Sequence, residues 1–393
     1  MKHIFLLLLI LCIPLTAHSK IVYMNWYWGV EKIGSADYFI FNLLPEFKKN
    51  SVSFQLEIPV EVNSNVHIRE KEYDGWEDII PKIKYLQYKQ DDLSIRMSSL
   101  ENIGLGNRSL VFNYANDLFD TYLRKRGLLV QYKKDFFGVK GMIDNVMDWD
   151  IFALNLDSHF HSWEIGISSL YDTDTGNPYS ERPEDGQGPE RAWIDININF
   201  LIDLTPFRIK LLNDLVREFS SAAGSDNFRI SSGPQIQIKP VRFTSLIKYN
   251  QNVDTLLTPI NHFYEIERSC TDMDKRTGFG YTLIFELSLA DFLSMELGLE
   301  QAEKTPVSFS VGLETGDDFY TGFHTSITLF NRRIDKWYRM LEETPQNTHL
   351  KMVFTLPLSK HLDLGLVYIK SFMFKNDHIT PLRISMITSS FHF

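Results

Sequence analysis

The chain has 393 residues and a net charge of −10, with 40 Lys and Arg against 50 Asp and Glu; that acidic balance argues against nucleic acid as a partner, because phosphate recognition needs a basic face. Aromatic residues make up 13% of the chain, 29 of them Phe, yet 23% of residues are charged and the mean hydropathy is −0.17. After residue 20 no window approaches the run of about 18 apolar residues that a membrane-spanning helix needs, which excludes a helical membrane protein.

The chain opens with Met1, Lys2 and His3, followed by the apolar run Ile4–Leu15. Ala17 and Ser19 then supply the small residues that a signal peptidase reads, so residues 1–19 are predicted to be a secretory signal cleaved before Lys20. Cleavage removes one cation, Lys2, and shifts the net charge from −10 to about −11. It also removes Cys12, leaving Cys270 as the single mature cysteine, so no intramolecular disulfide can form. An exported, aromatic-rich, moderately polar chain fits a transmembrane β-barrel, in which only every second strand residue faces lipid.

Period-2 alternation recurs along residues 20–393. Tyr23, Trp26, Tyr27 and Trp28 are an aromatic cluster suited to a membrane interface, or equally to an N-terminal segment packed in the lumen. In Ser51–Val62, Val52, Phe54, Leu56, Ile58, Val60 and Val62 point one way, and Ser53, Gln55, Glu57, Pro59 and Glu61 the other. Gly106–Gly127 is the least strand-like internal stretch and mixes aromatics with Arg108, Arg124, Lys125 and Arg126. These four cations are the candidate charges of a pore constriction or loop, where basic side chains select anions; a solvated loop or turn is the more ordinary account of them.

Asp144, Asp148 and Asp150 lack the spacing of a calcium loop. His159 and His161 share one strand face beside Asp157 and Ser158, an arrangement more ordinary at a strand end than in a catalytic or metal site. No HExxH, GxSxG, CxxC or phosphate-loop pattern occurs. Asp172–Arg191, rich in Gly, Pro and acid, is one long polar connection, and Asn250–Thr277 is a second. Alternating strands then follow from Leu293, Val307 and Phe323, with very few residues between them at Ala290-Asp291 and at Thr305-Pro306. In the third connection, Asn331–Thr348, the apolar residues of Ile334–Leu341 are spaced like a short amphipathic helix. Leu350–Leu356 and Leu362–Tyr368 form a hairpin around Ser359-Lys360. Many of these strands run about 9–13 residues, longer than the usual 5–6 and long enough to cross a bilayer when tilted.

The last strand ends Ser390, Phe391, His392, Phe393, with both Phe rings on one face. This tail resembles the terminal strand of Gram-negative outer-membrane β-barrel proteins, which implies that Phe391 and Phe393 form a C-terminal assembly signal read by the barrel-insertion machinery. A second resemblance is carried by Leu100–Asn116 with Arg126-Gly127-Leu128, by Ile198–Pro206, by the region of Gly224 and by Asn261–Glu265. These segments, spanning residues 75–285, are similar to large outer-membrane barrels of spirochaetes and related diderm bacteria. Asn107 and Arg108 depart from that pattern, where a small residue and a Gly-rich turn are expected.

The expected fold is all-β: one antiparallel transmembrane β-barrel of about 18 strands, between 16 and 20, with long outer loops and short periplasmic turns. Residues 20–393 form one domain. The expected function is a porin-like channel for passive diffusion of small solutes through the outer membrane, with no catalytic role, no cofactor and no metal. The alternatives are a plugged structural or adhesin-like barrel and an outer-membrane hydrolase. Expected partners are outer-membrane lipid, the insertion machinery and the solutes; the sequence leaves the oligomeric state open.

Overall fold

The structure is a computed structural model. It describes residues 20–33, 36–63, 80–101, 103–107, 110–116, 125–147, 149–173, 190–220, 227–253, 260–261, 276–290, 292–302, 307–316, 323–334, 348–359, 361–375 and 378–392. The signal segment 1–19, Arg108, Arg124, Asp148, Cys270, Phe393, most of the Asp172–Arg191 connection and the helical reading after Ile334 lie outside the described residues.

The strands are β1 (Lys20–Ile33), β2 (Ala36–Lys49), β3 (Val52–Leu56), β4 (Ile58–Asn63), β5 (Ile83–Gln90), β6 (Leu93–Ser98), β7 (Ile103–Leu105) and β8 (Val111–Tyr114). They continue as β9 (Gly127–Lys134), β10 (Phe137–Ile143), β11 (Ile151–Phe160), β12 (Trp163–Asp172), β13 (Arg191–Leu204), β14 (Phe207–Ser220), β15 (Asn227–Ile238) and β16 (Val241–Val253). The last are β17 (Ile260–Asn261), β18 (Arg276–Leu289), β19 (Leu293–Ala302), β20 (Val307–Thr315), β21 (His324–Ile334), β22 (Thr348–Ser359), β23 (Leu362–Lys375) and β24 (His378–His392).

All but β7, β8 and β17 belong to one antiparallel sheet in which each wall strand pairs with its sequence neighbour in the wall. The sheet closes where β1 pairs with β24, from Tyr23↔His392 to Ile33↔Leu382. β3 and β4 both pair with β2 and act as one wall strand broken at Glu57. The wall therefore has 20 strands, which corrects the expectation of about 18. Short strands such as β5, with Lys84, Leu86 and Tyr88 in one register and Tyr85, Gln87 and Lys89 in the other, carry a weak alternation signal, and a count made by alternation comes out low. Closure leaves no sheet edge, so the wall strands satisfy their backbone groups through their neighbours.

The two ends of the barrel differ. Lys20 lies opposite Lys48 and Tyr23 opposite His392, so the first and last strands meet at the end that carries the turn after β2. The turns at 91–92, 135–136, 161–162, 205–206 and 239–240 occupy the same end and are two residues long. Asn50, Asp91, His161 and Ala290 have positive φ in these turns. The longest connections, those after β4, β12, β16 and β21, sit at the opposite end, the loop end, whereas the connection 316–323 after β20 lies at the turn end. The connection between β19 and β20 joins them at the loop end, and Ala290 lies at the turn end.

Alternation places polar residues inside and apolar residues outside. In β13, Trp193, Asp195, Asn197 and Asn199 point inward and are buried, whereas Ile194, Ile196 and Ile198 point outward and are exposed. Exposed outward side chains include Ile247 at 64%, Phe279 at 60% and Leu366 at 56%. Water-exposed apolar surface on this scale is foreign to soluble monomers. The sequence reading of Ser51–Val62 holds across the break: Gln55 and Glu57 are buried inside, and Ile58 and Val60 are exposed outside. The predicted hairpin of β22 and β23 is present.

Candidate functional site

Between β6 and β9 the chain does not stay at the rim. The described residues between 99 and 116 turn into the barrel and form the hairpin β7–β8, with Ile103 opposite Tyr114 and Leu105 opposite Val111. β17 adds to it in parallel, Ile260 opposite Val111 and Asn261 opposite Phe112. Two of the segments singled out in the sequence, Leu100–Asn116 and the one beginning at Asn261, are thus neighbours inside the lumen.

Packing holds the body of this hairpin. Leu100, Ile103, Leu105, Leu110, Val111 and Tyr114 are buried against Met142, Ile151, Ala153, Leu170, Trp193 and Val216 of the inner wall. Each such side chain contributes about 1.5–3 kcal/mol relative to exposure, so the body is a fixed part of the fold. Asn116 ties the two ends of the segment: the Leu100 N–H donates to its Oδ1 at 2.6 Å, and the Asn116 N–H donates to the Leu100 carbonyl at 3.0 Å.

The base is held by charge. Arg126 donates to Glu57 Oε2 at 3.2 Å and to Ser99 Oγ at 2.6 Å, and both charged groups are buried. Tyr27 also donates to Glu57, and Asn42 lies at 3.5 Å from it. The break between β3 and β4 thus places a carboxylate where the inward segment begins. Lys125 reaches Asp144 at 3.0 Å and Asp150 at 3.4 Å, so its ammonium stands between two of the aspartates weighed as cation ligands.

The tip is held by amides. Gly106 takes φ 64°, a left-handed conformation that glycine adopts without strain, and it directs Asn107 at the wall. Asn107 Nδ2 donates to Asn199 Oδ1 at 2.8 Å and to Asp214 Oδ1 at 2.7 Å, and Asn199 Nδ2 donates back to Asn107 Oδ1 at 3.0 Å. The β13–β14 ladder is interrupted between the pairs Asn197↔Asp214 and Phe200↔Leu211. There the Asn199 Oδ1 accepts the Asn213 N–H at 3.3 Å in place of a wall carbonyl. Asn199 therefore joins wall to hairpin at about half the height of β13. Lys140 donates to the Gly104 carbonyl at 2.9 Å and Lys351 to Glu101 at 3.0 Å, adding two cationic contacts to the inward segment.

Inward side chains change character along the barrel axis. Toward the loop end, Asp195 (0% exposed), Arg229 (1%) and Lys248 (1%) are sealed from solvent. Lys248 pairs with Glu300 at 2.8 Å, which also accepts from Thr282 at 2.9 Å. Arg229 interacts electrostatically with Asp195, Glu300, Asp214 and Glu218. Toward the turn end, inward groups stay wet: His159 beside Asp157 and Glu164, Lys210 on Glu164, Arg208 on Asp203, and Arg242 on Glu286. The turn-end half is a polar vestibule and the loop-end half is packed.

Of the residues picked from sequence, Lys125 and Arg126 sit together at the base of the hairpin, each on carboxylates. Phe391 points outward and stacks on Trp26 across the closing seam, with ring centroids 4.5 Å apart. Trp28 points outward and Tyr27 inward, so the N-terminal aromatic cluster divides between its two suggested roles. His159 lies at the vestibule rim and His161 in the adjoining turn, and no group of three or more side chains arranged to hold a metal ion occurs among the described residues. Asn199 and Asp214 were not picked from sequence, and Asn107 was noted only as a departure from the resembled pattern; Gly106-Asn107 between two short apolar runs was the signal that marks such a hairpin.

No family model matches the chain, and no curated protein does. Solved structures align with it over nearly its full length. The outer membrane protein opdK from Pseudomonas aeruginosa is 8% identical with a TM-score of 0.37, over 95% of this chain and 98% of that one. Pseudomonas aeruginosa OccK5 (OpdH) is 11% identical with a TM-score of 0.38, over 95% and 97%. OccK2 (OpdF) of the same organism, solved in complex with glucuronate, is 7% identical with a TM-score of 0.39, over 96% and 99%. By its own geometry, closed, antiparallel, polar within and apolar without, this chain is a porin-like β-barrel.

Proposed function

We propose that the protein is an outer-membrane channel for passive passage of small solutes, in which the hairpin β7–β8 sets the narrowest part of the path. The observation that carries this reading is the docking of a polar hairpin tip, Asn107 on Asn199 and Asp214, at mid-height of a closed barrel whose turn-end half is a charged vestibule. A fixed hairpin in a wet lumen restricts solutes by size and charge without any conformational step. The apolar outer belt supports a wall that faces lipid, since charge-free outward positions are what hydrocarbon requires.

In this reading residues 1–19 export the chain, the short turns face the periplasm, and the long connections face outward. Phe391 and Phe393 are the signal for the insertion machinery, and no catalytic group is assigned. Lys125 and Arg126 anchor the base of the inward segment on carboxylates, and Arg108 and Arg124 are assigned as the constriction charges. The second reading is a plugged barrel, favoured by the sealing of Asp195, Arg229 and Lys248 from solvent.

Planar-bilayer recording of the refolded chain separates the two. Stepwise currents in both polarities are expected of the channel. A silent bilayer containing inserted protein would leave the plugged barrel.

A further inference from the structure

Packing of the lumen is uneven around the ring. From β11 to β16 the inward register is buried toward the loop end, as in Ala153, Ser168, Asp195, Val216, Arg229 and Lys248. At β21 and β22 the same end is closed by Phe330 and His349, both buried, with ring centroids 6.5 Å apart. β20 differs from all of these. Its inward residues are Ser308, Ser310, Gly312 and Glu314, opposite Glu300, Gly298, Glu296 and Ser294 of β19. All four are half-buried or exposed, and the Glu314 side chain at the turn end is 62% exposed. Among the described residues, no other wall strand keeps its whole inward register open to solvent from one end to the other.

The docking of the hairpin accounts for this. β7 and β8 pack on Met142, Ala153, Leu170, Trp193 and Val216 of β10–β14, and β10 stands nearly opposite β20 in the closed ring. The hairpin therefore fills the side it docks on and leaves the far side wet. The two glycines of the β19–β20 pair differ in what lies before them. A Cβ at Gly298 would meet the Ser310 Oγ, so that room is already taken. A Cβ at Gly312 would meet nothing nearer than the Glu296 Cβ at 3.9 Å, so the space in front of this position is open.

We infer that solutes cross the packed half away from the barrel axis, along the inner face of β20, and that Gly312 sets the width of this lane. The inference rests on the channel reading of the proposed function and adds where in the lumen passage occurs. The docked hairpin fixes the far bank. On the near bank the hydroxyls of Ser308 and Ser310 replace part of the water shell of a small hydrophilic solute, and the carboxylate of Glu314 marks the vestibule mouth. A side chain placed at Gly312 stands in the lane without displacing the wall.

The test uses the refolded chain carrying Cys12→Ser and Cys270→Ser, with one cysteine introduced as Gly312→Cys, Ser310→Cys or Ser168→Cys. Ser168 is the control, 0% exposed on the inner face of β12 behind the hairpin. Each variant is inserted in planar bilayers and treated with the water-soluble reagent trimethylammonioethyl methanethiosulfonate, and labelling is read by mass spectrometry. Gly312→Cys is expected to be labelled and its current step to fall by about half or more, as an added group in a narrow pore dictates, with recovery in dithiothreitol. Ser168→Cys is expected to stay unlabelled with an unchanged step. A conducting Gly312→Cys barrel that is not labelled, or is labelled with no change in current, would overturn the lane, as would equal block at Ser168→Cys. Should Gly312→Cys not fold, Ser310→Cys must show the same block. A silent bilayer holding inserted protein would sink the channel reading and the lane with it, an outcome distinct from a conducting barrel that the reagent leaves untouched.

Discussion

At the scale of single residues, Asn107 has the largest consequence. The apolar body of β7–β8 is fixed by packing, and its polar tip is fixed by amide hydrogen bonds of about 0.5–1.5 kcal/mol each. Asn107→Ala therefore leaves the hairpin in place and frees its end, while unpairing Asn199 and Asp214 on the wall. We expect larger and noisier single-channel currents from this variant, with a fold retained to within about 1–3 kcal/mol; unchanged current steps would show that the tip does not bound the path. Arg126 and Glu57 contrast with this. Both are buried, so loss of either strands the other charge, at a cost of about 3–5 kcal/mol. The sequence showed Arg126 as one of four cations and could not reveal its partner, because Glu57 lies 69 residues away and faces it only once the barrel closes.

At the scale of elements, alternation was the legible part. Ser51–Val62, β19, β20 and the β22–β23 hairpin could be read with the correct face outward, since one side chain in two must be apolar to meet the belt. The hairpin β7–β8 was not legible in the same way. Its strands are three and four residues long, too short for a period-2 pattern to show. The closing seam has its own requirement at Gly29, opposite Met386. A Cβ there would stand 2.0 Å from the Ser385 carbonyl oxygen and 2.6 Å from the Met386 Cα, both backbone atoms. Gly29→Ala must push β1 away from β24, and overpacking of this kind costs about 1–3 kcal/mol. A lowered temperature for the heat-induced gel shift is expected, set against Gly141→Ala, whose added carbon meets nothing nearer than 3.9 Å. Equal midpoints for the two variants would show that the seam yields without cost.

At the scale of the whole molecule, a sheet with no free edge and an apolar exterior should persist in detergent until heated. The purified chain is expected to migrate faster on a gel before boiling than after it. A mature chain that dissolves in water without such a shift would refute the barrel in lipid. Composition already pointed here: many aromatics, a hydropathy near that of soluble proteins and only two cysteines together leave few other architectures for a chain of 393 residues. The strand count was less legible, because closure is a property of register across the whole ring and weakly alternating strands such as β5 contribute to it as fully as strong ones.

The meeting of β1 and β24 also makes the wall a ring in the topological sense. Tyr23 and His392 face each other across the seam, so the chain's order around the circle has no privileged starting point in the folded sheet. Any of the two-residue turns at that end could serve as the opening of the circle with the same neighbours on every strand. What distinguishes the present opening is the contact it leaves across the seam, Phe391 stacked on Trp26, which a permuted chain would keep as a pair but no longer carry next to its ends.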